Sequence, residues 1–360
     1  MTSKPQKILI IAPSRKMGGI ERALTVLANE WAKQGYEVVY TSCLKSDPFY
    51  KLHSDIKIIE PNFKRSGGII NKAFFYPKLI GYIRKQVKKE NPDRILSFGD
   101  FFNPLVLLAT LGLKVPVYIS DRTSADFKFP RYIKVLKKWM YPKAAGFIAQ
   151  TSRAFEAKKK QFGTQFNQVV IPNAVTEIKI TNEPKENIIL YVGRFSWEKN
   201  PTALIKAFSS IENKSNWKLV MAGDGPQWEE MKRLASNLGI REHVTFLGTV
   251  SDVDTLLNKA SIFVLPSVLE GFPNSLCEAM SASLPVICFD SIPYESIITP
   301  NIDGIVIPYN DTEALASALN SLMEDQPRRF TMGERAYSKS KNWEVKKIVN
   351  HYNKFLKLNE

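Results

Sequence analysis

Two carboxylates, Glu270 and Glu278, bracket a polar turn with seven residues between them. The turn, Gly271-Phe272-Pro273-Asn274-Ser275-Leu276, follows the apolar run Phe263–Leu265, which reads as a buried strand, and leads into a helical pattern. Glu270 therefore sits at the carboxyl end of a strand, where open parallel sheets place their ligands. Asn274 or Ser275 can cap the helix and leave backbone N–H groups facing an anion, with Glu278 about one turn in. An amide cradle beside two hydroxyl acceptors suits a nucleotide-sugar. The same letters, Ser275-Leu276-Cys277-Glu278, also spell an S-x-x-E capping box, in which Glu278 only bonds back to the helix start.

A second cluster lies in Val192-Gly193-Arg194-Phe195-Ser196-Trp197-Glu198-Lys199-Asn200-Pro201. Asn200 and Pro201 read as N-cap and first helical residue, so Arg194 and Lys199 share one strand-to-helix loop. A guanidinium fork and a point charge together suit a diphosphate without a metal. A third feature is Gly18-Gly19, which closes the first strand-to-helix loop and allows close backbone approach. Neither the G-x-G-x-x-G fingerprint nor a Walker sequence is present. Asp252-Val253-Asp254 mimics a metal-binding D-x-D, but its place before a helical pattern makes capping the better reading. His53, His243 and His351 fall in no metal or triad arrangement.

These loops need elements to hold them. In the first half, Lys7–Ala12 reads as a strand, followed by a helix from about Ile20 to Lys33. Further strands are expected at Glu37–Thr41, Ile56–Ile59, Arg94–Phe98, Val115–Ser120, Gly146–Gln150 and Gln168–Ile171. The stretch from Ile171 to about Asn187 reads as a linker. A second alternation then places strands at Ile188–Val192, Trp217–Ala222, Val244–Leu247, Ile262–Leu265, Pro285–Phe289 and Gly304–Ile307. Helices are expected at Pro201–Ser210, Gln227–Leu238, Val253–Ala260, Ser275–Ala282, Thr312–Met323, Arg328–Ser338 and Trp343–Leu358. This βα grammar used twice means α/β, with two doubly wound domains and a cleft between their carboxyl ends.

Composition is consistent with that. The chain has 360 residues, 44% of them apolar and 24% charged, enough for two domains with sizeable cores. No apolar run reaches the ~18 residues of a membrane span, and Met1–Lys7 lacks a signal-peptide apolar stretch. Cys43, Cys277 and Cys288 are scattered, which points to a reducing compartment. Net charge is +15, and residues 1–175 hold 30 Lys and Arg against 12 Asp and Glu. An anionic partner for that half follows, either nucleic acid or a lipid surface. Two segments there, Ile69–Lys89 and Phe127–Trp139, interleave bases with large apolar groups and read as amphipathic surfaces for anionic headgroups. Each also fits a core-facing helix with a basic outer side.

Gly193-Arg194…Glu198-Lys199-Asn200, Ala222-Gly223-Asp224-Gly225-Pro226, Phe246-Leu247-Gly248 and Glu270-Gly271-Phe272-Pro273…Glu278-Ala279 occur in this order. Together with Gly18-Gly19 they resemble the GT-B retaining glycosyltransferases of family 4, most strongly over residues 188–310. Within it the sequence is similar to bacterial enzymes that build lipid-linked or capsular glycans. The resemblance implies GT-B architecture: a Rossmann-like acceptor domain at 1–172, a Rossmann-like donor domain at 173–342, and a last helix, 343–360, packing back on the first. It implies that Arg194 and Lys199 hold the donor diphosphate, Glu278 the ribose, and Glu270 the donor sugar. Amides near Ser275 and Leu276, with Gly19, would meet phosphate, and Thr249 and Val250 would lie by the base. Relatives often carry a histidine where Ile119-Ser120-Asp121-Arg122-Thr123 has Arg122, so Asp121 and Arg122 are site candidates, or else a loop ion pair.

The reading is thus a retaining, metal-independent transfer from a nucleotide-sugar, expected to be a UDP-sugar, to a hydroxyl of a lipid-linked or polysaccharide glycan. No metal or other cofactor is expected. The protein should be cytoplasmic and peripheral to the inner face of the membrane, bound through its basic half. A UDP-sugar epimerase on the same fold needs positioned acid and base groups, against which the scarcity of histidine counts. A nucleic-acid-binding protein would use the basic half, but no binding motif for one is present, and no nucleic acid is expected as a partner.

Overall fold

The computed structural model describes residues 5–64, 69–124, 126–181, 184–214 and 216–358, with the side chains of residues 69–73 outside that description. Met1–Lys4 and the Ile69–Ala73 side chains, both part of the sequence reading, lie outside the described residues. The chain divides into two units, 1–174 with 345–360, and 175–344. Both crossings fall two residues beyond the expected 172/173 and 342/343. The reason is local: Val175 pairs with Glu344, and its N–H bonds Trp343 O at 2.9 Å, tying both crossing segments to the second unit.

The first unit is a parallel sheet of β1 (Lys7–Ala12), β2 (Glu37–Ser42), β3 (Lys57–Ile59), β4 (Arg94–Phe98), β5 (Val117–Ser120), β6 (Gly146–Ala149) and β7 (Gln168–Val170). Their order is β3-β2-β1-β4-β5-β6-β7. Near-continuous apolar runs such as Ile8-Leu9-Ile10-Ile11-Ala12, all fully buried, suit strands covered on both faces. The cover is α1 (Gly19–Lys33), α2 (Ile69–Glu90), α3 (Asn103–Ala109), α4 (Arg131–Met140) and α5 (Ser152–Phe162). The reading of the sequence left α3 and α5 unresolved, since α3 is short and α5 buries none of its residues.

The second unit repeats the plan. Its strands are β8 (Ile188–Val192), β9 (Lys218–Ala222), β10 (Val244–Gly248), β11 (Ile262–Leu265), β12 (Val286–Phe289) and β13 (Ile305–Ile307), in the order β10-β9-β8-β11-β12-β13. Its helices are α6 (Pro201–Ser210), α7 (Trp228–Asn237), α8 (Val253–Lys259), α9 (Asn274–Ser281), α10 (Thr312–Glu324) and α11 (Gln326–Ser340). The last helix, α12 (Val345–Leu356), returns to the first unit. It buries Ile348, Val349, Tyr352 and Leu356 in the core that also holds Trp31 of α1. Trp31 Nε1 donates to Asn353 Oδ1 at 2.7 Å, and Arg94 Nε donates to Leu356 O at 2.7 Å.

Each sheet reverses its strand order once, between β1 and β4 and between β8 and β11. Loops leaving the carboxyl ends of such a pair diverge and open a crevice. The β8–α6 and β11–α9 loops hold Arg194, Lys199 and Glu270, and the β1–α1 loop holds Gly18. Among the described residues no helix is long and apolar enough to cross a membrane.

Candidate active site

Strand β8 delivers the loop 193–200, and close packing fixes its path. Gly223, at φ +135°, lies so near that a Cβ there would sit 1.9 Å from Gly193 O, and a Cβ on Gly225 would sit 2.4 Å from Phe195 O. Only glycine fits either place. Phe195 N–H donates to Asp224 O at 3.0 Å, and the Phe195 ring packs edge-on against Tyr191 and Trp228. Tyr191 Oη donates to Arg194 O at 2.8 Å.

The loop is also clamped to its neighbour across the switch point. Val268 N–H and Leu269 N–H donate to Glu198 O at 2.8 and 3.3 Å. Lys199 Nζ stands 2.5 Å from Glu270 Oε1, with the two side chains 25% and 9% exposed. The structure thus brings Lys199 and Glu270, 71 residues apart in sequence, into one half-buried pair. Arg194 is exposed beside them, with no ion-pair partner among the described residues.

Helix α9 begins one residue earlier than expected, which changes its start. Its N-cap is Pro273, with no side-chain cap bond, so Asn274 and Ser275 are the first two helical residues and neither is the N-cap. The capping box is therefore absent: Ser275 and Glu278 lie inside the first turns rather than at the N-cap and third positions. Asn274 N–H donates to Phe272 O at 3.0 Å and Leu276 N–H to Pro273 O at 3.1 Å, so the Leu276 amide assigned to phosphate already has a partner. Ser275 N–H has no backbone partner beyond its own helix among the described residues. The Phe272 and Leu276 side chains are core, Gly271 is half-buried, and Glu278 is buried at 5% exposure.

Thr249 is exposed and Val250 half-buried, just past β10. They stand two strands from β8, ~10 Å across the sheet at ordinary strand spacing. Asp252 caps α8 by accepting from Thr255 N–H at 3.1 Å. Asn200 occupies the N-cap of α6 in the left-handed region, without a side-chain cap bond.

In the first unit, Gly18 is the extended N-cap of α1 and Gly19 its first residue. Glu21 folds back over this turn, accepting from Ser14 Oγ at 2.6 Å, and a Cβ on Gly18 would sit 2.4 Å from Glu21 Oε2.

Asp121 and Arg122 are not a loop ion pair with each other. Both are buried just past β5, in a network that sequence reasoning missed. Asp121 accepts from Lys158 Nζ at 2.7 Å, Lys137 Nζ at 3.1 Å, Tyr141 Oη at 2.5 Å and Asn103 Nδ2 at 3.2 Å. Lys137 Nζ also reaches Asp100 Oδ1 at 2.8 Å. The Arg122 guanidinium lies 3.4 Å from the Phe98 ring centroid and bonds Asn173 Oδ1 and Tyr352 Oη, which ties α12 to the sheet. Burial raises the Asp121 carboxyl, but Lys158 and Lys137 outweigh it and hold the group well below the usual carboxylate range. Burial and the neighbouring Asp121 charge push Asp100 the other way, up.

Lys137 was grouped with the basic surface of α4, yet it is 3% exposed. Its register was legible, because it stands four residues after buried Ile133 on the inward side of the helix. Its carboxylate partners, 37 and 16 residues away, were not.

Comparison with known proteins agrees with this geometry. Residues 175–339 match the family model of glycosyl transferases group 1, and residues 17–177 match glycosyltransferase family 4. The chain is 29% identical over 360 residues to a Campylobacter jejuni protein, with 97% of this chain and 98% of that one covered. That relative is named as a GalNAc-α-(1→4)-GalNAc-α-(1→3)-diNAcBac-PP-undecaprenol α-1,4-N-acetyl-D-galactosaminyltransferase. This chain is also 30% identical to the α-D-kanosaminyltransferase of Streptomyces kanamyceticus, over 70% of this chain and 74% of that one. The crystal structure of Anabaena Alr3699/HepE in complex with UDP superposes with a TM-score of 0.81 at 17% identity, covering 98% and 100% of the two chains. Two Rossmann-like units of this order, with the family motifs at the switch point of the second, make this chain a member of the family 4, group 1 glycosyltransferases of GT-B fold.

Proposed function

We propose that this enzyme transfers a sugar from a UDP-sugar to a hydroxyl of a lipid-linked glycan, with retention and without a bound metal. The observation that carries the reading is the Lys199–Glu270 pair beside exposed Arg194 at the β8/β11 switch point. Breaking a glycosyl–phosphate bond leaves negative charge on the diphosphate, and fixed cations stabilise it without reorganising. Arg194 supplies a fork and Lys199 a point charge, so the departing diphosphate is neutralised by side chains. Glu270 then accepts a hydroxyl of the donor sugar, and Glu278 accepts from the ribose. The UDP in the structural neighbour's complex supports uridine as the base, and the Campylobacter relative's name supports a lipid-diphosphate acceptor.

On this reading the first unit works at the inner, anionic face of the membrane in the cytoplasm. α4 carries Tyr132, Val135 and Trp139 at 64%, 51% and 70% exposure, beside Lys128, Arg131, Lys134 and Lys138. Aromatic groups at the headgroup level and cations on its phosphates are how a helix lies in an interface.

Calorimetric titration without metal, against UDP, GDP, ADP and a short oligonucleotide, tests the reading. Selective UDP binding that falls at least tenfold in Glu278→Ala is expected. Oligonucleotide binding without nucleotide binding would overturn it in favour of a nucleic-acid partner.

A further inference from the structure

The chain has six tryptophans, and four have evident structural work. Trp31, Trp217 and Trp343 are buried, and Trp228 packs on Phe195 and Phe246. Trp139 belongs to the exposed face of α4. Trp197 is different. It is 65% exposed in the very loop that carries Arg194 and Lys199, and it has no hydrogen bond or ring contact among the described residues. Its flanks are anything but loose: Phe195 and Ser196 are buried, and Glu198 O holds two amides of the β11–α9 loop. A large apolar plane on a fixed backbone, contributing nothing to a core, is a recognition feature.

We propose that Trp197 is the stacking platform for the terminal pyranose ring of the acceptor glycan. This rests on the transfer reading above. The other donor parts have their own groups: the diphosphate falls to Arg194 and Lys199, and Glu270 takes the donor sugar. The Lys199 and Glu270 side chains are 25% and 9% exposed, whereas Trp197, two residues before Lys199 in the same loop, is 65% exposed. The acceptor's terminal ring must come up to the donor sugar for its hydroxyl to attack. The C–H face of a pyranose is apolar and flat enough to lie on an indole, which offers rigid amphipathic area at small entropic cost. Trp197 is thus a positioning residue, acting on acceptor affinity and orientation rather than on bond cleavage.

Protein labelled with 5-fluorotryptophan tests this by 19F NMR, with the Trp197 signal identified as the one missing from Trp197→Phe. The probes are UDP alone, then UDP with methyl glycosides of disaccharides of N-acetylgalactosamine, N-acetylglucosamine, galactose and glucose. The Trp197 signal should stay in place with UDP and move with at least one disaccharide. In transfer assays, Trp197→Ala should raise the acceptor KM at least fivefold and leave the donor KM unchanged, and Trp197→Tyr should restore most of the loss. A signal unmoved by every disaccharide, or moved as far by UDP alone, overturns the platform. Absence of UDP binding in the wild type strikes the transfer reading instead, so the two failures are distinguishable.

Discussion

Lys199 and Glu270 neutralise each other in a half-buried pair, so removing either leaves the other with a charge that nearby solvent only partly screens. The cost to the fold should be modest, because Lys199 keeps a quarter of its side chain in water. The cost to chemistry should be large. Each variant, Lys199→Ala and Glu270→Gln, is expected to melt within a few degrees of the wild type. Each should lose transfer by about 10²–10³ in kcat, the usual penalty for one preorganised charge-stabilising group. Thermal melts and initial rates measured side by side check this, and retained turnover in both variants would sink the assignment. The buried Ser196 and Ser267 hydroxyls, flanking the same clamp, have no hydrogen-bond partner among the described residues. A buried hydroxyl without a partner costs free energy.

Helix α4 shows how one element serves two environments. Its inward side buries Ile133 and Lys137, with Lys137 Nζ bridging Asp100 and Asp121. Its outward side sets Tyr132, Val135 and Trp139 at helical spacing beside Arg131, Lys134 and Lys138. If that side meets an anionic bilayer, binding to vesicles with one-third phosphatidylserine should weaken sharply between 50 and 500 mM salt, as charge screening requires. Replacing Lys134 and Lys138 together by Gln should cost about 1 kcal/mol per charge, on the order of a thirtyfold loss in partitioning. Trp139→Ser should weaken binding at every salt concentration. Co-sedimentation measures all three, and partitioning indifferent to salt and to these changes would remove α4 from the membrane.

At the scale of the molecule, charge follows the division into units. The first unit carries 34 Lys and Arg against 13 Asp and Glu, the second 16 against 22. The first unit also buries charge, and its stability should depend on pH accordingly. Asp121 is held below the usual carboxylate range by Lys158 and Lys137 against its own burial. Its folded-state value is therefore lower than its unfolded one. The unfolded chain takes up this proton first, and the stability it contributes is present above about pH 4 and lost as pH falls. Asp100, pushed up, works in the opposite sense and offsets part of the effect. Asp121→Asn should cost on the order of 3 kcal/mol at pH 7, because it takes the carboxylate from the half-buried Lys158 ammonium and leaves buried Lys137 with Asp100 alone. The gap to the wild type should narrow progressively from about pH 5 down to about pH 2, as the unfolded chain takes up the proton well before the folded one. Melts across that range test it, and a gap that does not change with pH would mean packing, not charge, is what Asp121 supplies.

Much of this architecture was readable in one dimension. β-Branched apolar runs such as Ile188–Val192 and Ile262–Leu265 have the same bounds in the structure, because a strand buried on both faces depends on local composition. The loop residues Arg194, Lys199 and Glu270 were legible because strand ends are where an open sheet exposes its turns. Other features were decided only by the folded chain. Whether Ser275 capped a helix turned on where α9 begins, a matter of one residue that periodicity does not resolve. Asp121 and Arg122 read as site candidates or a loop ion pair, and Lys137 as part of a basic surface. Their burial required Asp100, Asn173 and Tyr352 to arrive from three other places in the chain. Local pattern sets which face of an element is apolar. Which charges meet beneath it depends on long-range pairing, and only the tertiary structure carries that.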